Sequence, residues 1–322
     1  MKAIVCERYG PPEVLELREI PKPVPRANQI LIRIRATTVT AGDWRVRSLT
    51  FPPGFALIGR LMLGVTRPRQ PILGTEFAGE IESVGPDVTR FRAGDHVYGF
   101  AGARMGCYAG YRVMHQDGCV AVKPPNLSFE EAAALSFGGT TALDFFRRGT
   151  LRPGERVLVN GASGGVGTAA VQLAKHAGAH VTGVCSTANV GLVRSLGADE
   201  VVDYTKEDFT SSGVGYDVIV DTAGTAPFAR SRASLADDGR LLLVLGGLRD
   251  MMQAPLVSLI SRTRIVAGPA AERPEDVRLL GQLAAEGRYR PVIDRRYPFE
   301  QMVEAHRYVD QGHKKGNVVV TV

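Results

Sequence analysis

Cysteine is scarce in this chain: Cys6, Cys107, Cys119 and Cys185 are its only four, and no two stand at CxxC spacing. That excludes a zinc ribbon and a disulfide framework and reads as reduced thiols in a cytoplasmic protein. Long apolar runs are missing as well. The nearest candidate, Phe51–Val65, carries two prolines, three glycines and Arg60, far from the ~20 apolar residues of a spanning helix. The opening MKAIVCERYG reads as a strand and a turn without a signal-peptide apolar core, so the expectation is a soluble protein with no membrane span. Charge of one sign is not concentrated either. The 39 basic and 33 acidic residues leave a net +6, spread in short pairs such as Arg147–Arg148 and Lys314–Lys315. This balance suits anionic small ligands and shows no nucleic-acid stripe. Internal repeats and low-complexity tracts are absent.

What is present is an ordinary globular composition, 44% hydrophobic and 22% charged over 322 residues, with 37 glycines. That length corresponds to about two domains. The first ~125 residues alternate apolar and polar positions in runs such as Gln29–Ala36, Gly79–Val84 and Asp95–Tyr98, separated by Gly/Pro/Asp turns. After Lys123-Pro124-Pro125-Asn126 the pattern changes. Ser128 is placed to cap a helix with Glu130 and Glu131 in its first turn. Strands then recur at Arg156–Asn160, His180–Cys185, Glu200–Asp203, Asp217–Asp221 and Arg240–Leu245, with helical stretches between most of them. The fold class is therefore α/β, with a doubly wound parallel sheet behind a β-rich region. Two helices, Pro274–Glu286 and Phe299–Gln311, and a strand, Val318–Val322, close the chain.

The sharpest motif is Asn160 followed by Gly161, Ala162, Ser163, Gly164, Gly165, Val166 and Gly167, running into TAAVQLAKHAGA. A glycine triplet alone is weak. Here a hydrophobic strand precedes it, an amphipathic helix follows it, and a second strand begins at His180. Glycines let the backbone turn tightly against a pyrophosphate whose charge rests on helix N-terminal N–H groups. The alternative is a glycine-rich turn without a ligand. NAD-binding folds usually end the second strand with a carboxylate for the ribose hydroxyls. This strand ends at Cys185, followed by Ser186, Thr187, Ala188 and Asn189, without an acid. Hydroxyl and amide donors in place of an acid point to NADPH over NADH, although no Arg or Lys stands in the loop.

The β-rich N-terminal part, the ASGGVG turn, LVRSLGADEVVDY after the second strand and the closing GHKKGNVVVTV resemble the zinc-free quinone oxidoreductase branch of the medium-chain dehydrogenase/reductases over essentially the full length. The resemblance implies a GroES-like catalytic domain over 1–125 and 265–322, a Rossmann NADPH-binding domain over 126–264, an active site in the cleft between them, and dimers or tetramers, most simply a homodimer. Zinc-dependent relatives take their ligands from three motifs, and matching these here gives Thr40 (TAGD), Thr75 (GTE) and Phe137 (FGGTTA). Hydroxyl and phenyl groups cannot replace thiolate and imidazole, so no metal is expected. The resemblance carries Thr141 towards the nicotinamide carboxamide and places Thr40 and Asp43 near the reacting face. It sets Tyr204 and Asn189 by the 2′-phosphate, Gly246 and Gly247 in the loop passing the nicotinamide, and Asn317 at a C-terminal cofactor contact. Each also has a plain reading as a turn or strand-end residue. His96, His115 and His306 read as structural or exposed, and Trp44 as a stacking surface or a buried structural residue.

The implied activity is hydride transfer from NADPH to a quinone or an α,β-unsaturated carbonyl. Alternatives are a zinc-free alcohol dehydrogenase or enoyl reductase, and a crystallin-like cofactor-binding protein without turnover. The apolar stretch Thr50–Leu63, with Phe51, Phe55, Leu57, Ile58, Leu61 and Met62, reads as a lid or binding wall for large, flat, apolar substrates, or else as a helix packed on the core or a subunit contact.

Overall fold

The computed structural model describes residues 1–259 and 261–322. The chain opens with an antiparallel pair, β1 (Lys2–Cys6) and β2 (Leu15–Glu19). Eleven residues rich in Ile and Thr, which fit a pleated surface through their branched Cβ, form β3 (Gln29–Val39). Two helices follow, α1 (Ala41–Ser48) and α2 (Ala56–Leu63), then β4 (Glu76–Val84), β5 (His96–Phe100), β6 (Tyr111–His115), β7 (Val120–Val122) and the short helix α3 (Phe129–Ala133). Strand and helix then alternate as α4 (Ser136–Gly149), β8 (Arg156–Asn160), α5 (Gly165–His176), β9 (His180–Cys185), α6 (Val190–Ser195), β10 (Glu200–Asp203), β11 (Tyr216–Asp221), α7 (Phe228–Ser231), β12 (Leu235–Leu243), α8 (Leu248–Ile260) and β13 (Arg264–Ala267). The chain ends with α9 (Pro274–Ala285), β14 (Ile293–Pro298), α10 (Met302–Asp310) and β15 (Asn317–Thr321).

Two compact units result: residues 1–51, 56–137 and 272–322 form the first, residues 52–55 and 138–271 the second. In the first, the sheet runs β14-β15-β3-β4-β5-β7, with β6 also on β3. Strand β3 is its hub. Ile30, Ile32 and Ile34 enter a core with Phe77 and Ile81, while Val39 joins Leu73, Tyr108, Met302, Val318 and Val320 in another. In the second unit, six parallel strands take the order β10-β9-β8-β11-β12-β13, the dinucleotide-binding arrangement whose ligand crevice lies outside the strand ends where the order reverses. That point is the end of β8, flanked by β9 and β11.

The boundaries differ from those expected at 125/126 and 264/265. Residues 126–137 group with the first unit because Ala132, Ala133 and Leu135 are buried there and Asn126 Nδ2 donates to Ala284 O at 3.0 Å. At the other end, β13 pairs with β12 in parallel register from Arg264 to Ala267, so the second unit continues to Ala271.

Candidate active site

Strand β8 delivers the glycine turn at the sheet's switch point. Gly161 has φ +79°, a left-handed conformation that side chains disfavour. A Cβ on Gly167 would sit 2.0 Å from Gly161 O, so the helix approaches the turn as closely as only glycine permits. Gly164 opens α5 without a side-chain cap, and the first α5 residue bonded back to it is Thr168, whose N–H reaches Gly164 O at 2.9 Å. The N–H groups of Gly165, Val166 and Gly167 therefore lack helical acceptors and form a positive end of the macrodipole. Ala162 is buried against β9, its N–H on Val184 O at 3.0 Å. Beneath the turn, Asn160 Nδ2 donates to Asp221 Oδ1 (2.9 Å) and Thr225 Oγ1 (2.8 Å), which fixes β8 to β11.

Beside the turn lies a polar ledge. Asn189 Nδ2 donates to Ser163 Oγ (3.1 Å) and Ser186 Oγ (3.2 Å), and Asn189 Oδ1 is buried with no hydrogen-bond partner among the described residues. Three residues expected at cofactor contacts thus meet. Cys185 is buried, its thiol pushed up to about 11 by desolvation. One expectation needs correction. A carboxylate does stand beside the end of β9, supplied by the neighbouring strand: Asp203 is in register with Cys185. Thr187 Oγ1 donates to it at 2.5 Å and Thr205 Oγ1 at 2.7 Å, with Lys206 Nζ at 3.5 Å. These donors, Thr187 first, hold Asp203 down at about 2. Thr187 is consequently committed to Asp203, and both Asn189 amide hydrogens are committed to the two serines, leaving the Ser163 and Ser186 hydroxyls as the ledge's donors. Tyr204 follows, 61% exposed.

Gly246 and Gly247 lead into α8, where the Asp250 carboxylate accepts from Gly247 N–H at 2.8 Å. Thr141 is buried in α4 within this same unit. Asn317 belongs to the other unit. Its Nδ2 donates to Val292 O (3.1 Å) and Ala134 O (3.4 Å), which commits both amide hydrogens to tying β15 to the residue before β14 and to the end of α3.

Thr40 and Asp43 come together in the first unit as a capping box at the start of α1, a T-x-x-D form of the reciprocal N-terminal bond. Asp43 Oδ2 accepts from Thr40 N (2.8 Å) and Thr40 Oγ1 (2.7 Å), while Asp43 N donates to Thr40 Oγ1 (3.1 Å). Thr75 Oγ1 lies 3.4 Å from both Thr40 Oγ1 and Asp43 Oδ2. Both residues are buried, and desolvation pushes Asp43 up to about 6 against the hydrogen bonds from Thr40, Thr75 and Tyr108.

Around this pair stand groups the sequence did not single out. Glu76, the acid of GTE, is fully buried, accepting from Thr38 Oγ1 and Phe137 N–H. Burial, with Asp43 contributing, pushes it up to about 7. Lys314 Nζ donates to Gly316 O and is lowered to about 8 by burial, opposed by the charges of Glu76, Asp294 and Asp43. Burial thus draws three groups, Asp43, Glu76 and Lys314, from their ordinary pKa values towards 7. The sole signal in the sequence was a Glu opening the otherwise apolar run EFAG. His306, read as structural or exposed, is fully buried with Nε2 3.2 Å from the Tyr108 hydroxyl. Burial and then Arg47 lower it to about 3, so the imidazole is neutral. Arg47 itself is buried, its Nη2 on both Asp310 oxygens at 2.7 and 2.6 Å.

Residues 26–124 match the family described as alcohol dehydrogenase GroES-like domain, and residues 196–320 the family described as zinc-binding dehydrogenase. The chain is 30% identical to the chloroplastic quinone-oxidoreductase QR1 of Triphysaria versicolor, covering 99% of this chain and 98% of that one. It is also 30% identical to the 2-methylene-furan-3-one reductase of Solanum lycopersicum over 99% of this chain and 79% of the relative. The solved quinone oxidoreductase from Coxiella burnetii superposes with a TM-score of 0.88 at 31% identity, covering 100% and 99% of the two chains. With its GroES-like sheet, its parallel dinucleotide-binding sheet and full-length identity at this level, the chain belongs to the medium-chain dehydrogenase/reductases, in their quinone-oxidoreductase-like branch.

Proposed function

We propose that this oxidoreductase is zinc-independent, prefers NADPH, and reduces a quinone or an α,β-unsaturated carbonyl. The observation that carries the reading is the Thr40–Asp43 pair, in which a hydroxyl bonded to a buried carboxyl stands at the position matched to the thiolate of zinc-dependent relatives. Zinc does not fit this donor set. Thr40 and Thr75 offer hydroxyls already bonded to Asp43, and Phe137 offers only its backbone N–H, held by Glu76. Tetrahedral zinc sites are built from thiolate, imidazole and carboxylate ligands, and neither a hydroxyl nor a phenyl group takes their place.

A nicotinamide cofactor does fit. The N–H groups of Gly165, Val166 and Gly167 would receive its pyrophosphate, and the Ser163 and Ser186 hydroxyls, held by Asn189, would offer donors beside the ribose. Lys206 adds a cation to this edge, which the hydroxyl-rich loop lacks. When bound, the cofactor supplies the hydride. The substrate then needs one proton for each hydride it accepts. Thr40 Oγ1–H is the donor and Asp43 the reservoir: with a pKa near 6, its Oδ2 holds a proton in a useful fraction of molecules and returns it to Thr40 Oγ1 across 2.7 Å. Glu76 and Lys314 keep the local charge close to neutral as that proton moves.

Oxidation of NADPH against a panel of quinones, enones and simple aldehydes tests the reading. Turnover with quinones or enones and none with aldehydes supports it. Aldehyde reduction abolished by chelators overturns it.

A further inference from the structure

We propose that α2 and the turn after it form a docking surface for an anionic lipid bilayer. The helix is seated by one edge only. Gly59 is buried, close enough that a Cβ there would meet the Phe51 ring at 2.6 Å. Beyond its C-terminus, Tyr9 OH donates to Gly64 O at 2.8 Å and Arg69 N–H to Leu63 O at 2.7 Å, folding the turn back onto the helix. The remaining faces are apolar and open: Leu57 is 70% exposed, Met62 69%, and Leu61 and Val65 57% each. Side chains of this kind gathered on one short helix exceed the scattered apolar exposure of an ordinary surface.

Charge identifies the occupant. Between Asp43 and Glu76 the chain has no acidic residue and five arginines. Arg47 is buried on Asp310 and Arg45 packs over the Trp44 ring. The other three, Arg60, Arg67 and Arg69, are exposed, and none forms an ion pair among the described residues. Arg60 and Arg69 both act on the Tyr9 hydroxyl, which places them on one patch. Glu7, which senses Arg67, is itself held by Arg18 at 2.7 and 3.1 Å. A second copy of this face meeting the first would set arginine against arginine with no acid between them. An anionic bilayer satisfies both features, taking the leucines and Met62 into the headgroup–acyl boundary and the guanidiniums onto phosphates. At ~1.5 Å per residue an eight-residue helix is ~12 Å long, so it lies in the surface rather than crossing it. No residue of the patch belongs to the Asp43 network, and the proposal stands apart from the reaction above.

The test is sedimentation of the full chain with vesicles of phosphatidylcholine, alone or mixed with phosphatidylglycerol, at low and high salt. Binding is expected only to the anionic vesicles and is expected to weaken with salt. Leu57→Asn and Leu61→Asn should each weaken it about tenfold. Replacing Arg60, Arg67 and Arg69 by Gln should cost about fivefold per charge. All these side chains are exposed, so melting curves should match the wild type. Equal binding to neutral vesicles, or none to either kind, overturns the proposal. So does a leucine substitution that reduces the oligomer in light scattering and leaves vesicle binding intact, which would make this face a subunit contact. A rise in KM for apolar acceptors without vesicle binding would make it a substrate wall and overturn the proposal equally.

Discussion

Replacing Glu76 by Gln should make the protein more stable above neutral pH and leave it nearly unchanged in acid. Glu76 is fully buried and its pKa rises from 4.5 to about 7, chiefly by desolvation. A carboxyl raised on folding binds its proton more tightly in the native state. Its contribution to stability is complete below 4.5, declines as pH rises, and is lost once pH passes about 7. Since one pH unit of displacement corresponds to ~1.36 kcal/mol, ionisation costs the native state on the order of 3 kcal/mol. Glutamine keeps the shape: its Oε1 accepts from Phe137 N–H, and the Thr38 hydroxyl turns to accept from its amide. Unfolding of wild type and Glu76→Gln should therefore be followed at pH 5 and pH 8. The variant should gain on the order of 1–3 kcal/mol relative to wild type between the two, or roughly 5 °C in Tm for a unit of this size. Parallel pH profiles for the two proteins would refute the argument. They would mean that Glu76 is already ionised at pH 5, with its charge held by Lys314.

Thr40→Val should lose about 1 kcal/mol from the α1 cap and lower kcat at least about a hundredfold with little change in KM; an unchanged kcat removes Thr40 from the proton path. Ser186→Asp places a carboxylate by the 2′-phosphate and should shift the NADPH-over-NADH preference by at least about 1 kcal/mol, read by fluorescence titration of both cofactors. Equal dissociation constants in the native protein would sink the preference. Gly167→Ala, with its Cβ 2.0 Å from Gly161 O, should abolish cofactor binding or unfold the second unit, and wild-type affinity would show that the turn is not the cradle. Exhaustive chelation should leave turnover unchanged, whereas stoichiometric zinc lost together with activity would show that the metal was needed.

Features that depend on neighbours in the chain were legible in the sequence. The glycine turn is one contiguous strand, loop and helix, so its spacing and periodicity announce it without reference to anything distant. The same holds for most strands of the second unit and for the Ser128 cap, whose Oγ does accept from Glu131 N–H at 3.2 Å. Thr40 and Asp43 lie three residues apart, and their bond is local. The tertiary structure alone decided what long-range packing brings together. Asp203 stands beside Cys185 only because β10 and β9 pair in parallel register, which turned an absent carboxylate into a present one and took Thr187 out of the ledge. Glu76, Tyr108, and His306 with Lys314 come from three distant stretches of chain. None has an unusual pKa until burial removes water, and burial is a property of the whole sheet and its covering helices. A sequence records which groups exist and how they are spaced; desolvation, which sets their chemistry here, is fixed only when the chain has closed around them.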